Sequence, residues 1–289
     1  MNDQAEALRN LVKNKMLQEE SRTTRVVTVT SGKGGVGKSN FSLNFAITLQ
    51  RLGKKVLVFD ADIGMANIDV LMGVSSTYNL YHLLKQEKTI WDIVQAGPEG
   101  LNFIAGGSGF KDLLDLSQEQ LDGFAEEIGK LHGKYDVILF DTGAGLSKET
   151  VKFISAAQET IVVTTPEPTS ITDAYALIKM VKAMNVEVSF KLIVNRAADN
   201  REGKQTADKI SLVAQRFLQS ELPSLGFVPD DPNVSKAVKR QQPFTIAYPG
   251  CDATLAIERI ARQFLDLPQD SEAGGGVKGF LHKMFKLSR

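Results

Sequence analysis

Gly32, Gly37, Lys38 and Ser39 stand in the stretch VTSGKGGVGKSN (29–40) at the spacing G-x4-G-K-S. The chemistry open to this set is the cradling of a polyphosphate. Glycines let backbone N–H groups wrap phosphate oxygens, and a helix opening at the loop adds its positive end. Lys38 is spaced to reach the β- and γ-phosphates, and Ser39 to offer its hydroxyl to magnesium. Gly34, Gly35, Val36, Gly37 and Asn40 complete the candidate nucleotide contacts of the loop. Two apolar runs end in carboxylates: VLVFDAD gives Asp60 and Asp62, and VILFD gives Asp141. Asp141 is a candidate to hold magnesium through water, and Asp60 to support the metal's water shell. Asp62 is a candidate to orient or deprotonate an attacking water. A lone strand-end aspartate is commonly a cap or turn residue; three of them downstream of a phosphate loop form a set. Lys33 is surplus to this chemistry, because one lysine satisfies a phosphate loop.

These residues need strand ends to hold them. RVVTVT (25–30), KVLVFDAD (55–62), LNFIAG (101–106), YDVILFD (135–141), TIVVTT (160–165), FKLIVN (190–195) and SLGFVP (224–229) read as strands. Several are apolar nearly throughout, as strands buried on both faces are. Helical stretches intervene, notably 39–50, 117–132, 170–184, 202–220 and 252–266. The alternation predicts an α/β fold: a mostly parallel, doubly wound phosphate-loop sheet with helices on both faces.

The whole chain has 289 residues, with 34 basic and 34 acidic side chains. That balance provides no global field for nucleic acid. The single cysteine, Cys251, excludes an internal disulfide framework or a multi-cysteine metal site within one chain, and a cytoplasmic setting is the default. No run approaches the roughly 20 apolar residues of a membrane span.

Residues 1–22 form an N-terminal extension in which Leu8, Leu11, Val12 and Met16 recur at helical spacing. Residues 23–267 hold the sheet, and 268–276, PQDSEAGGG, is a linker by composition. In 277–289, Val277, Phe280, Leu281, Met284 and Phe285 fall at i, i+3, i+4, i+7 and i+8. Lys278, Lys283, Lys286 and Arg289 stand among them with no acidic residue. This is a basic amphipathic helix suited to an anionic membrane surface. One copy binds weakly; two on a dimer bind much better.

SGKGGVGKS followed by DADIGMANIDVLMG closely resembles the MinD/ParA class of ATPases, over roughly residues 25–266. The resemblance implies a SIMIBI-class, MinD-like fold that binds ATP and magnesium, releases ADP, and pairs as a homodimer when ATP is bound. It implies that Lys33 crosses the dimer interface to the partner's phosphates, as arginine fingers do. It further implies that Asn195 reads the adenine edge, that Pro229, Asp230 and Asp231 belong to a loop closing over the base, and that DTGAG (141–145) senses the γ-phosphate. Asp173 matches a position that can hold Lys33 in the unpaired state. VNRAADN lacks the guanine-type N-K-x-D pattern, which favours ATP over GTP.

The extension carries D-Q-A-x-x-L-R, which resembles the FlhG branch (also called FleN or YlxH) of that class. The branch controls flagellar number and placement. The resemblance implies that Asp3, Gln4, Leu8 and Arg9 engage the GTPase FlhF and stimulate its hydrolysis, with Gln4 aimed at the partner's water. It also implies binding to flagellar C-ring switch proteins and a peripheral position on the inner face of the membrane. A division-site MinD does not need the extension. A DNA-partition ParA needs a basic surface, for which AVKRQQ and HGKYD are modest clusters.

Overall fold

In β1 (Arg25–Ser31), Val27 and Val29 alternate with Thr28 and Thr30, and all four are buried. Such a strand has neighbours on both sides of its sheet. The computed structural model describes residues 23–62, 67–107, 118–184 and 186–268. β1 lies within an eight-stranded sheet with β2 (Val56–Ala61), β3 (Val94–Ala96), β4 (Asn102–Ile104), β5 (Val137–Ala144), β6 (Glu159–Thr164), β7 (Ser189–Ala197) and β8 (Ser224–Pro229). The order is β3-β4-β2-β5-β1-β6-β7-β8. Every pairing is parallel except the β3–β4 edge.

One face of the sheet is covered by α1 (Lys38–Arg51), α2 (Ile68–Met72), α9 (Pro232–Lys239), α10 (Phe244–Ala247) and α11 (Asp252–Phe264). Phe41 stacks on Phe45, Phe264 meets Phe45 edge-on, and all three share a core cluster with Val27, Val29 and Leu139. On the opposite face, α7 (Pro168–Ala183) and α8 (Asn200–Leu218) cover β6 and β7. There too lie α3 (Leu80–Leu84), α4 (Ile90–Ile93), α5 (Gln118–Gly129) and α6 (Lys148–Ala156), over β2, β4 and β5. Each fully buried Phe, Leu or Ile contributes roughly 1.5–3 kcal/mol, so the central strand ends are held rigidly.

β1, β2 and β5 start together and end together. Asp60 pairs in register with Asp141, which itself lies opposite Val29 at the end of β1. The three sequence segments singled out for chemistry therefore converge at the C-terminal ends of the central strands. At the opposite end of these strands, Arg25 Nη1 donates to the carbonyl of Phe264 at 3.0 Å, with its guanidinium 3.8 Å from the ring centre. Beginning of β1 and end of α11 are thus tied together.

The N-terminal extension with Asp3, Gln4, Leu8 and Arg9 lies outside the described residues. So do nearly all of the 268–276 linker and the tail with Val277, Phe280, Leu281, Lys283, Met284, Phe285 and Lys286. Among the described residues, no helix is long and apolar enough to cross a membrane.

Candidate functional site

Gly37 takes φ +89° and ends the loop; α1 begins at the next residue. A Cβ on Gly37 would lie 2.4 Å from Asn195 Nδ2, so a larger residue is excluded by shape and by backbone angle. Gly34 and Gly35 face open space. Gly32 is different. Its missing Cβ would sit 2.2 Å from the carbonyl carbon of Asp173, so this glycine lets β1 and α7 approach closely.

Lys38 is buried, and its Nζ lies 2.9 Å from Asp141 Oδ2 and 3.2 Å from Ser39 Oγ. The other oxygen of Asp141 accepts a 2.6 Å bond from Ser42 Oγ. A hydroxyl and a carboxylate thus meet beside the loop lysine. Hard oxygen donors of this kind suit magnesium, which retains several waters and takes few protein ligands.

Asp60 is 1% exposed, and its carboxylate accepts backbone N–H bonds from Asp62 (3.2 Å), Asn67 (2.9 Å) and Ile68 (3.1 Å). Burial, reinforced by the charge of Asp141, pushes its carboxyl up to about 7, against the pull of those three bonds. Asp60 therefore anchors the chain entering α2. Asp62, half-buried, projects over Gly143: a Cβ there would be 3.5 Å from Asp62 Oδ1. Gly143 belongs to the DTGAG segment, whose Gly145 N–H donates to the Ser31 carbonyl at 2.8 Å. The segment after β5 is thereby fastened to the end of β1. Lys38, Ser39, Asn40, Asp62 and Gly143 line a cleft of about 820 Å³, while Asp60 and Asp141 are buried behind its wall.

Lys33 stands apart from its neighbour. Its side chain is 40% exposed, and Nζ reaches Glu167 Oε2 at 3.0 Å and Thr169 Oγ1 at 3.1 Å. The expected partner, Asp173, does not hold it. Asp173 lies further along α7, and its backbone is the surface pressed against Gly32. Glu167 and Thr169 flank the start of α7 in PEPTS, and only the packing of α7 on β1 brings them to Lys33.

Asn195 Nδ2 donates to the carbonyl of Val36 at 2.7 Å, which links the end of β7 to the phosphate loop. Asn195, Pro229, Asp230 and Asp231 line a small recess of about 50 Å³ that adjoins the loop at Gly37 and Asn40. Asp231 faces inward, accepting from the N–H groups of Asn233 (2.8 Å) and Ala253 (3.2 Å). Burial raises its carboxyl pKa, but these bonds outweigh it and leave the group below the usual range. Arg196 lines both cleft and recess, and its type and position alone did not single it out.

The model of the CobQ/CobB/MinD/ParA nucleotide-binding domain matches residues 27–244, from β1 to the start of α10. The chain belongs to this family. Among its MinD/ParA relatives, the antiactivator FleN of Pseudomonas aeruginosa is 36% identical over 260 residues, 90% of this chain and 93% of that protein. The flagellum site-determining protein YlxH of Helicobacter pylori is 38% identical, with 99% of both chains covered. Of solved structures, MinD of Pyrococcus horikoshii complexed with Mg-ADP superposes with a TM-score of 0.67 at 25% identity, covering 83% of this chain and 96% of that one. MinD in the MinC:MinD complex of Aquifex aeolicus gives 0.71 at 28% identity, covering 86% and 98%. Membership of the MinD/ParA family makes the cleft at the phosphate loop a nucleotide site.

Proposed function

We propose that this protein is an ATP-dependent dimerising ATPase that controls flagellar number and placement, and that its N-terminal extension stimulates the GTPase FlhF. The observation that carries the flagellar reading is coverage. The likeness to YlxH spans 99% of this chain and so includes both extensions, whereas a septum site-determining MinD of H. pylori covers 83%. The test uses the full chain with purified FlhF. The wild type should accelerate FlhF GTP hydrolysis, and deletion of 1–22 or Gln4→Ala should remove most of that acceleration. Equal acceleration by all three would contradict the reading.

In the reaction we infer, the loop N–H groups and Lys38 bind the β- and γ-phosphates. Asn195 and the 229–231 backbone enclose the adenine. Ser39 and Asp141, with Asp60 behind them, would hold magnesium, which when bound neutralises phosphate charge. Asp62 orients a water and takes its proton as the water oxygen bonds to the γ-phosphorus and the bond to the ADP oxygen breaks. ADP and phosphate are released. Lys33 crosses to the second protomer, so the γ-phosphate becomes part of the interface and hydrolysis weakens pairing. Pairing brings two tails to one surface, and an anionic membrane then holds the dimer. Flagellar C-ring proteins are further partners on this reading, while loss of the dimer after hydrolysis returns the protein to the cytoplasm.

A further inference from the structure

Among the described residues, six other than glycine have positive φ: Gln86, Glu99, Arg196, Gln219, Gln241 and Asp266. Gln86, Gln219, Gln241 and Asp266 follow helix ends and Glu99 lies in a short 3-10 turn, all places where left-handed backbone is common. Arg196, at φ +56°, lies inside β7. The β7–β8 register shifts between Asn195 and Ala197, with Arg196 at the irregularity. Neighbouring side chains in a regular strand point to opposite faces. Here Asn195 and Arg196 line the same recess, and Arg196 reaches the phosphate cleft as well. A bulge of this kind re-aims a side chain, and strain of this kind marks functional positions. The Arg196 side chain is exposed, and among the described residues its guanidinium has no hydrogen-bond or ion-pair partner.

We propose that Arg196 is a nucleotide-clamping residue, its planar guanidinium stacking on the purine between the Asn195 recess and the phosphate loop. This rests on the reading of the cleft as an ATP site. A guanidinium has the flat shape and positive charge for such stacking, and lysine lacks the plane.

The test measures ATP and ADP binding by the full chain, with magnesium, as wild type and as Arg196→Ala, Arg196→Lys and Arg196→Gly. Arg196→Ala should weaken ATP and ADP alike, by roughly 3- to 30-fold. Arg196→Lys should recover only part of the loss. Arg196→Gly should weaken both nucleotides as alanine does, yet raise the melting temperature of the unliganded protein, because glycine adopts positive φ without strain. Wild-type affinity in Arg196→Ala overturns the clamp. Loss confined to ATP also overturns it, since that locates the contact at the γ-phosphate. A lower melting temperature for Arg196→Gly assigns the residue to the fold and overturns it too. If the wild type itself binds no ATP, the nucleotide reading fails first, and the clamp with it.

Discussion

Two lysines five residues apart in one loop meet opposite surroundings. Lys38 is buried against Asp141, whereas Lys33 is exposed and paired with Glu167. Burial makes the first a fixed part of the site; exposure leaves the second free to exchange partners. The glycines divide in the same way. Gly34→Ala should leave stability nearly unchanged, because its Cβ meets open space. Gly32→Ala should cost about 3 kcal/mol or more, since the new methyl would collide with backbone of α7 that cannot turn aside. Thermal or urea unfolding of the two variants checks this, and equal stabilities would refute the close-approach role of Gly32. Asp62, over Gly143, carries the proposed proton transfer. Asp62→Ala should retain ATP binding and lose turnover by roughly 10²- to 10⁴-fold, read by phosphate release at saturating ATP.

At the scale of elements, α7 restrains Lys33. The Lys33–Glu167 pair is exposed on both sides, so it is worth at most about 1 kcal/mol. A restraint that weak yields readily to a triphosphate. Glu167→Ala should therefore lower the protein concentration needed for ATP-driven pairing, by about fivefold at most. Ultracentrifugation across a concentration series gives the midpoint, and a shift to higher concentration would mean that Glu167 supports the dimer instead. The strands that carry the site were legible in the sequence, because β1, β2 and β5 are apolar runs ending in marked polar residues. The three-residue antiparallel β3 was not, being too short for a periodic signal. Glu167 as partner of Lys33 and the bulge at Arg196 were equally hidden, since each depends on how separate elements pack. Asp60 could be marked in the sequence as a strand-end carboxylate, but the bonds it accepts from the N–H groups of Asp62, Asn67 and Ile68 leave no trace in residue type.

For the molecule as a whole, the nucleotide cleft lies at one end of the central strands, and Arg25 and Phe264 lie at the other. Arg25 and Phe264 are in contact, so the 1–22 and 269–289 segments join the domain at neighbouring points. A dimer made through the phosphate loops would hold two such pairs of segments, so nucleotide state would set how many tails reach one membrane. Removal of 277–289 should abolish co-sedimentation with anionic vesicles while ATP hydrolysis in solution persists; undiminished sedimentation would exclude the tail as the anchor. On the reading proposed above, Lys33 makes ATP the bond between two copies. Its most direct test is the molar mass in solution of Asp62→Ala with magnesium and ATP, compared with the Asp62→Ala, Lys33→Ala double variant. A dimer is expected for the first and an ATP-bound monomer for the second. A dimer that persists without Lys33 would contradict it.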